Sequence, residues 1–152
     1  MSSLDLQLAE HAASVRFESL SAAAIERAKI FILDTIGVGL AGGSTPEIAP
    51  LLQAVQGWGD TQQVGLWGTR RKFSPGQAVL LNAYQIHCQE FDCLHEGAVL
   101  HAMATLLPVV LAESQVRGGV TGKALIAAVA AGVDVACTIG LASKRLHNRV
   151  GL

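Results

Sequence analysis

The sequence predicts a mainly α protein, a helical bundle-like domain spanning residues 1–152 with a short β hairpin near residues 63–73. Three observations carry this. Apolar residues recur at near-helical spacing, as in Ala23, Ile25, Ala28, Ile32 and Ile36. Helix-breaking residues gather between such runs, at Gly42-Gly43, Gly57 with Gly59, and Gly118-Gly119. Apolar side chains make up 51% of the chain but aromatics 5%, so the core is built from small aliphatic residues, which suits closely packed helices.

Leu4, Leu6, Leu8 and Ala9 open a first helix that ends near Val15. Ser19 or Ser21 caps a second, from about Ala22 to Leu40, whose wetter side carries Glu26, Arg27 and Lys29. Gly42-Gly43 ends it, and Ser44-Thr45-Pro46-Glu47 starts a third helix with Pro46 at a tolerated first-turn position, running to about Val55. Val64, Leu66 and Trp67, interrupted by Gly65 and Gly68, read as an extended piece or hairpin. The cations Arg70, Arg71 and Lys72 beside it are read as a solvated turn rather than an anion site. Ser74-Pro75 starts a helix through Ala78, Leu81, Ala83 and Ile86. Another leaves near Ala98 and runs to about Gln115, with Pro108 expected to kink it. Thr121 caps the last helix, which reaches Arg145.

A formal net charge of -1 and the lack of a basic stripe give no electrostatic case for nucleic acid. An odd set of 3 cysteines without a regular framework points to a reducing compartment, and the first residues lack the charged start and apolar stretch of a signal peptide. A cytoplasmic location is expected. The run Ala124 to Ala142 invites a membrane reading. Asp134 in its middle and its alanine-glycine content favour a buried soluble helix, with Gly132 and Gly140 where another helix backbone comes close. A mean hydropathy of +0.42 suggests that part of the surface is covered by another chain, so self-association is expected.

The chemistry-bearing residues are concentrated in one stretch, His87-Cys88-Gln89-Glu90-Phe91-Asp92-Cys93-Leu94-His95-Glu96, followed by His101. Charged side chains are 15% of the chain, so crowding ionisable groups between two apolar runs calls for a reason. Proton transfer is one, since a histidine beside carboxylates works near neutrality. Metal binding is a second reading, because His87, Cys88, Cys93, His95 and His101 are competent ligands. No C-x-x-C pair or H-E-x-x-H supports it, so no metal site is expected. A cysteine nucleophile is weaker still, a buried cysteine being usually a small apolar residue. His101 enters an apolar helix and is either a core residue or a general base, with Glu90, Asp92 and His95 nearby. His11 and His147 lack such company and read as surface or core fillers; Glu96 reads as solvated and Asp134 as hydrogen-bonded.

The run from Gln85 to His101 resembles the central motif of the MmgE/PrpD family, which includes 2-methylcitrate dehydratase, cis-aconitate decarboxylase and iminodisuccinate epimerase. Three flanking stretches fit as well: Phe31 to Gly42, Ala78 to Ala83, and Gly122 to Leu125 with Ala131 to Val135. The resemblance implies the N-terminal part of a large helical domain, with the family's smaller α/β lid absent here. It also implies a homodimer, no metal or organic cofactor, and proton handling beside a carboxylate on small di- or tricarboxylic acids. By the same resemblance His101 is the first catalytic histidine, Glu90 and Asp92 match the acidic positions of a D-F-D-D-like signature, and His95 is a substrate-binding candidate. Cys93 and Leu94 depart from the aspartate and threonine common in the family, which favours an epimerase-like or undefined branch over the methylcitrate dehydratases. Members are roughly three times longer, and their second histidine and lysines lie beyond Leu152.

Two functions follow from this reading. One is a piece of a cofactor-free lyase or isomerase, with His101 as base and Glu90 or Asp92 orienting it. Proton removal beside a carboxylate builds an enediolate that needs cations, and none lies near His101 in sequence, so the site reads as half complete. Folding would have to bring Arg70, Arg71, Lys144 or Arg145 close. The alternative is a non-catalytic, truncated family member acting as a self-associating helical module.

Overall fold

The computed structural model describes residues 3–59 and 61–150, with side chains described up to Ser143. Its order is α1 (Leu4–Ser14), a 3-10 turn (Phe17–Ser19), α2 (Ala22–Gly42), α3 (Ile48–Val55), β1 (Val64–Gly65), β2 (Lys72–Phe73), α4 (Pro75–His87), α5 (Ala102–Val116) and α6 (Gly122–Val150). The architecture is mainly α. β1 and β2 form one antiparallel pair, Val64 opposite Phe73 and Gly65 opposite Lys72, so the extended piece near residues 63–73 is a hairpin.

α4 is the central element, packed chiefly against α2 and α5. Ser74 precedes it and Pro75 opens it, while Gln77 reaches back to accept the Ser74 backbone N–H at 3.0 Å. This closes one of the donors that a helix start leaves unpaired. The Gln77 amide also donates to the Val55 carbonyl, tying the end of α3 to the start of α4. Ala78, Leu81, Asn82, Gln85 and Ile86 form the buried face. Asn82 holds the hairpin: its Oδ1 accepts from Trp67 N–H at 3.0 Å and its Nδ2 donates to the Gly65 carbonyl at 3.1 Å. A buried amide with both ends engaged costs little, and here it fixes the hairpin on the bundle.

Glycines set the closest approaches. A Cβ at Gly42 would overlap the Gln85 carbonyl, so α2 crosses α4 with backbone against backbone. At Gly132 and Gly140 of α6 the neighbours differ from the expected helix backbone. Gly132 meets the Leu106 side chain of α5, and Gly140 meets the loop at Ala98, whose carbonyl would lie 2.7 Å from an added Cβ.

Several boundaries differ from the sequence reading. Ser21, not Ser19, caps α2, accepting from Ala24 N–H at 3.1 Å. α3 begins at Ile48 rather than at Pro46, and the proline it tolerates is Pro50, in the first turn where the missing N–H would have had no partner. α5 begins at Ala102, not near Ala98, because Ala98 to Leu100 are held in a turn bridged between His95 and Leu100. Pro108 stays inside the continuous helix α5. Thr121 caps α6 as expected, accepting from Ala124 N–H at 3.2 Å.

The core has two parts. Val55, Val64, Leu66, Phe73, Ala78, Leu81 and Ala112 fill the space between the hairpin, α3, α4 and α5. Met103, Leu107 and Val129 join α5 to α6, with Ile32, Ile36 and Trp67 packed around them. α6 departs from expectation. Its segment Gly122–Ser143 is long and apolar enough to cross a membrane, and 17% of its most apolar window is buried within this chain, not the bulk of it. The physical reason is that α6 packs along α5 and α1 on one side and leaves Ile139 and Leu141 open on the other. Asp134 is exposed and pairs with His11 at 3.0 Å, so His11 has a specific partner where a filler was expected.

Candidate active site

α4 ends at His87, and α5 begins at Ala102 with His101 as the residue preceding it. The intervening loop folds back so that both histidines meet Asp92. His87 Nδ1 lies 3.1 Å from Asp92 Oδ1, and His101 Nδ1 lies 3.1 Å from Asp92 Oδ2. The Asp92 side chain has no exposed area, whereas those of His87 and His101 are 46% and 27% exposed. The two rings stack edge to face with centroids 4.7 Å apart. An ionised carboxylate only accepts hydrogen bonds, so Asp92 is satisfied when both rings carry their proton on Nδ1. Each Nε2 then keeps its lone pair and faces away from the carboxylate.

Backbone strain marks this loop. Glu90 has φ 56° and Val99 φ 51°. For a β-branched residue such as Val99 the left-handed region is an outlier, costing on the order of 1–3 kcal/mol. Its turn, closed by His95 N–H to Leu100 carbonyl at 3.0 Å, delivers His101 to the start of α5. The His101 side chain makes no cap bond there and is committed to Asp92 instead.

The four expected site residues separate. His101 and Asp92 come into contact. Glu90 is exposed and lies by His87, its Oε1 3.6 Å from Nε2, not by His101. His95 accepts the Ala98 backbone N–H on its own Nδ1 at 3.0 Å and lines a 120 Å³ apolar cavity with Phe31, Cys93, Met103 and Cys137. His87, considered in the sequence as a ligand alone, is the member that residue order did not single out. Its offset from Asp92 follows no helical period because a loop intervenes. Arg70 and Arg71 line a different cavity, with Gln56, Thr61 and Gln77, at the hairpin. The side chains of Lys144, Arg145 and His147 lie outside the described residues.

Cys93 sits half-buried beside this cluster. Burial pushes its thiol up, and the charges of Asp34 and Asp92 add to the effect. Less thiolate at a given pH means a poorer nucleophile. Cys93 is therefore expected to alkylate more slowly than free cysteine at pH 8, measured by peptide mass spectrometry after iodoacetamide; faster labelling would contradict this environment.

Comparison with known proteins places the site in a lineage. Cis-aconitate decarboxylase-like protein oryM of Aspergillus oryzae is 28% identical over 124 residues, covering 78% of this chain and 26% of the relative. A cis-aconitate decarboxylase of Aspergillus terreus is 28% identical over 115 residues, covering 76% of this chain and 24% of the relative. The chain thus spans about a quarter of the length of these curated relatives. Residues 6–151, with the whole His87–Asp92–His101 cluster, match the family described as MmgE/PrpD N-terminal domain, and to that family of dehydratases and decarboxylases the chain belongs.

Proposed function

We propose that this chain carries the proton-handling part of a cofactor-independent lyase or isomerase site for a small di- or tricarboxylic acid, with His101 as the base. The observation that supports it most is the buried Asp92 carboxylate holding His101 through Nδ1 at 3.1 Å. That contact presents the Nε2 lone pair outward in one tautomer. In the proposed step His101 Nε2 takes the proton from the carbon next to a substrate carboxylate, whose C–H electron pair becomes the enediolate. The imidazolium that forms is neutralised by Asp92 beneath it. Cis-aconitate, named in the curated relatives, is a tricarboxylic acid of the size and charge this chemistry handles.

The counter-charge for the enediolate comes, on this reading, from outside the described side chains. Among the described residues the ion pairs of Asp92 and Glu90 are with histidine. The test is hydrogen–deuterium exchange of cis-aconitate, 2-methylcitrate and iminodisuccinate by the chain in D₂O, followed by NMR. Exchange that falls by about 100-fold or more in His101→Gln supports the base, given the usual worth of general acid–base catalysis. No exchange with any of these acids, or exchange indifferent to His101→Gln, overturns the reading in favour of a non-catalytic helical module.

The open apolar faces support a further part of the proposal, a homo-oligomer, most simply a dimer. Ile30 and Leu33 on α2 and Ile139 and Leu141 on α6 are all exposed. Clusters of exposed aliphatic side chains on single chains usually mark a contact surface. Sedimentation at micromolar concentration is expected to show a species heavier than 15.9 kDa. A monomer throughout would remove this part.

A further inference from the structure

We propose that His87, Asp92 and His101 also form a binding site for a divalent transition metal of the zinc class, and that occupancy silences the base. The binding claim stands on geometry alone; the silencing claim rests on the function proposed above. Two imidazoles and one carboxylate each offer a ligand atom, all within 4.8 Å of one another. Two nitrogens and a carboxylate, with a further position open, is the donor set of many zinc sites. His87 Nδ1 lies 3.1 Å from Asp92 Oδ1 and His101 Nδ1 3.1 Å from Oδ2, so one ion held by both rings either shares the two carboxylate oxygens or draws one ring toward the other's oxygen. His87 sits at the last turn of α4 with its side chain half exposed. It is the more exposed of the two rings.

Charge and surroundings favour an occupant. The Asp92 carboxylate is fully buried with neutral-capable imidazoles as its ion-pair partners. A dication at that point supplies the positive charge a buried carboxylate needs. Glu90, strained at φ 56°, sets its Oε1 3.6 Å from His87 Nε2. This is the position of the outer carboxylate that commonly orients a metal-bound histidine. Nitrogen donors select zinc, cobalt or nickel over magnesium and calcium, which prefer all-oxygen shells. Both rings are solvent-accessible, so an ion has a way in.

The consequence for the base is a matter of tautomers. A ring that ligates through Nδ1 must carry its proton on Nε2 instead. The lone pair proposed to take the substrate proton is then replaced by an N–H group. No redox change or net bond-making to substrate is involved; one proton moves from Nδ1 to Nε2 on each neutral ring through solvent.

The test uses the tag-free chain, titrated with Zn²⁺ by calorimetry and with Co²⁺ by visible absorption, alongside long-range ¹⁵N–¹H spectra of the histidine rings. One ion per chain is expected, with the rings of His87 and His101 changing from Nδ1–H to Nε2–H. His87→Gln and His101→Gln are each expected to weaken binding by more than about 100-fold, and Glu90→Gln by about 10-fold, in line with loss of an inner or an outer partner. Glu90 is exposed, so its variant reports on the site even where a histidine variant fails to fold. His11→Gln and His147→Gln are expected to leave binding unchanged. Binding that survives both His87→Gln and His101→Gln, rings that keep Nδ1–H, or no uptake at all would overturn the site. None of these readings involves turnover, so the proposed base and the proposed metal site can fail separately. If exchange catalysed by the chain persists with zinc bound, the silencing claim falls alone.

Discussion

Asp92→Asn is expected to reduce proton exchange at the candidate site by about two to four orders of magnitude, the usual worth of a correctly presented base. The cause is local. Asp92 accepts from His87 on one oxygen and from His101 on the other. An asparagine offers one accepting oxygen and one donating nitrogen in the same two places. Whichever way the amide turns, one of the two rings must give up its Nδ1 proton and move it to Nε2. If that ring is His101, the base presents N–H outward. Loss of the charge also leaves the imidazolium formed during exchange without its counter-ion. Stability should fall by about 1.5–3 kcal/mol, the range for hydrogen bonds to a charged group. Half-exposed rings can recover part of this from water. The signature to look for is a rate loss far larger than the fall in melting temperature explains, with the two followed on the same preparation. Equal activity in the variant would remove Asp92 from the mechanism.

Gly42→Ala is expected to lower unfolding free energy by about 1–3 kcal/mol, the cost of overpacking a tight contact, while Gly37→Ala raises it by about 0.5–1 kcal/mol. Both residues lie in α2. At Gly42 an added Cβ would overlap the Gln85 carbonyl of α4, and backbone cannot rotate away as a side chain can. At Gly37 nothing stands within 4 Å of the same atom, so alanine simply removes the entropy that glycine loses in a helix. For a chain of this size, 1 kcal/mol corresponds to a shift of about 2–4 °C, so the pair should move in opposite directions by several degrees. Gly42 lies at the crossing that carries α4, and α4 ends at His87. A variant that loosens the crossing should therefore blur the His87–Asp92 contact as well, visible as broadening of the His87 ring signals.

The helices could be read from residue order because their determinants are local. Ser21, Thr121 and the Ser74–Gln77 pair act within one turn of the backbone they satisfy. The hairpin was readable for the same reason, its glycines and β-branched or aromatic residues lying within a few positions of each other. The misplacements also have physical causes. Ala98 to Leu100 have apolar side chains suited to a helix, yet the His95–Leu100 bridge holds them in a turn. Pro46 and Pro50 are both compatible with a first turn, so residue order alone does not choose between them.

Composition and spacing by themselves determined a helical protein with its ionisable groups crowded between two apolar runs, and they made His101 a candidate base with Glu90, Asp92 and His95 near it, without choosing among those three. The meeting of His87 and His101 on Asp92 was decided by tertiary structure, as were the outward course of Glu90 and the separation of Arg70 and Arg71 from the cluster. A helix or a turn is set by neighbours along the chain, whose distances the covalent backbone fixes. The meeting of two histidines on one buried carboxylate depends on where α4 ends relative to α5, and that placement comes from the Gly42 crossing and from Ala78 and Leu81 of α4 sharing a core with Ala112 of α5, residues far apart in order.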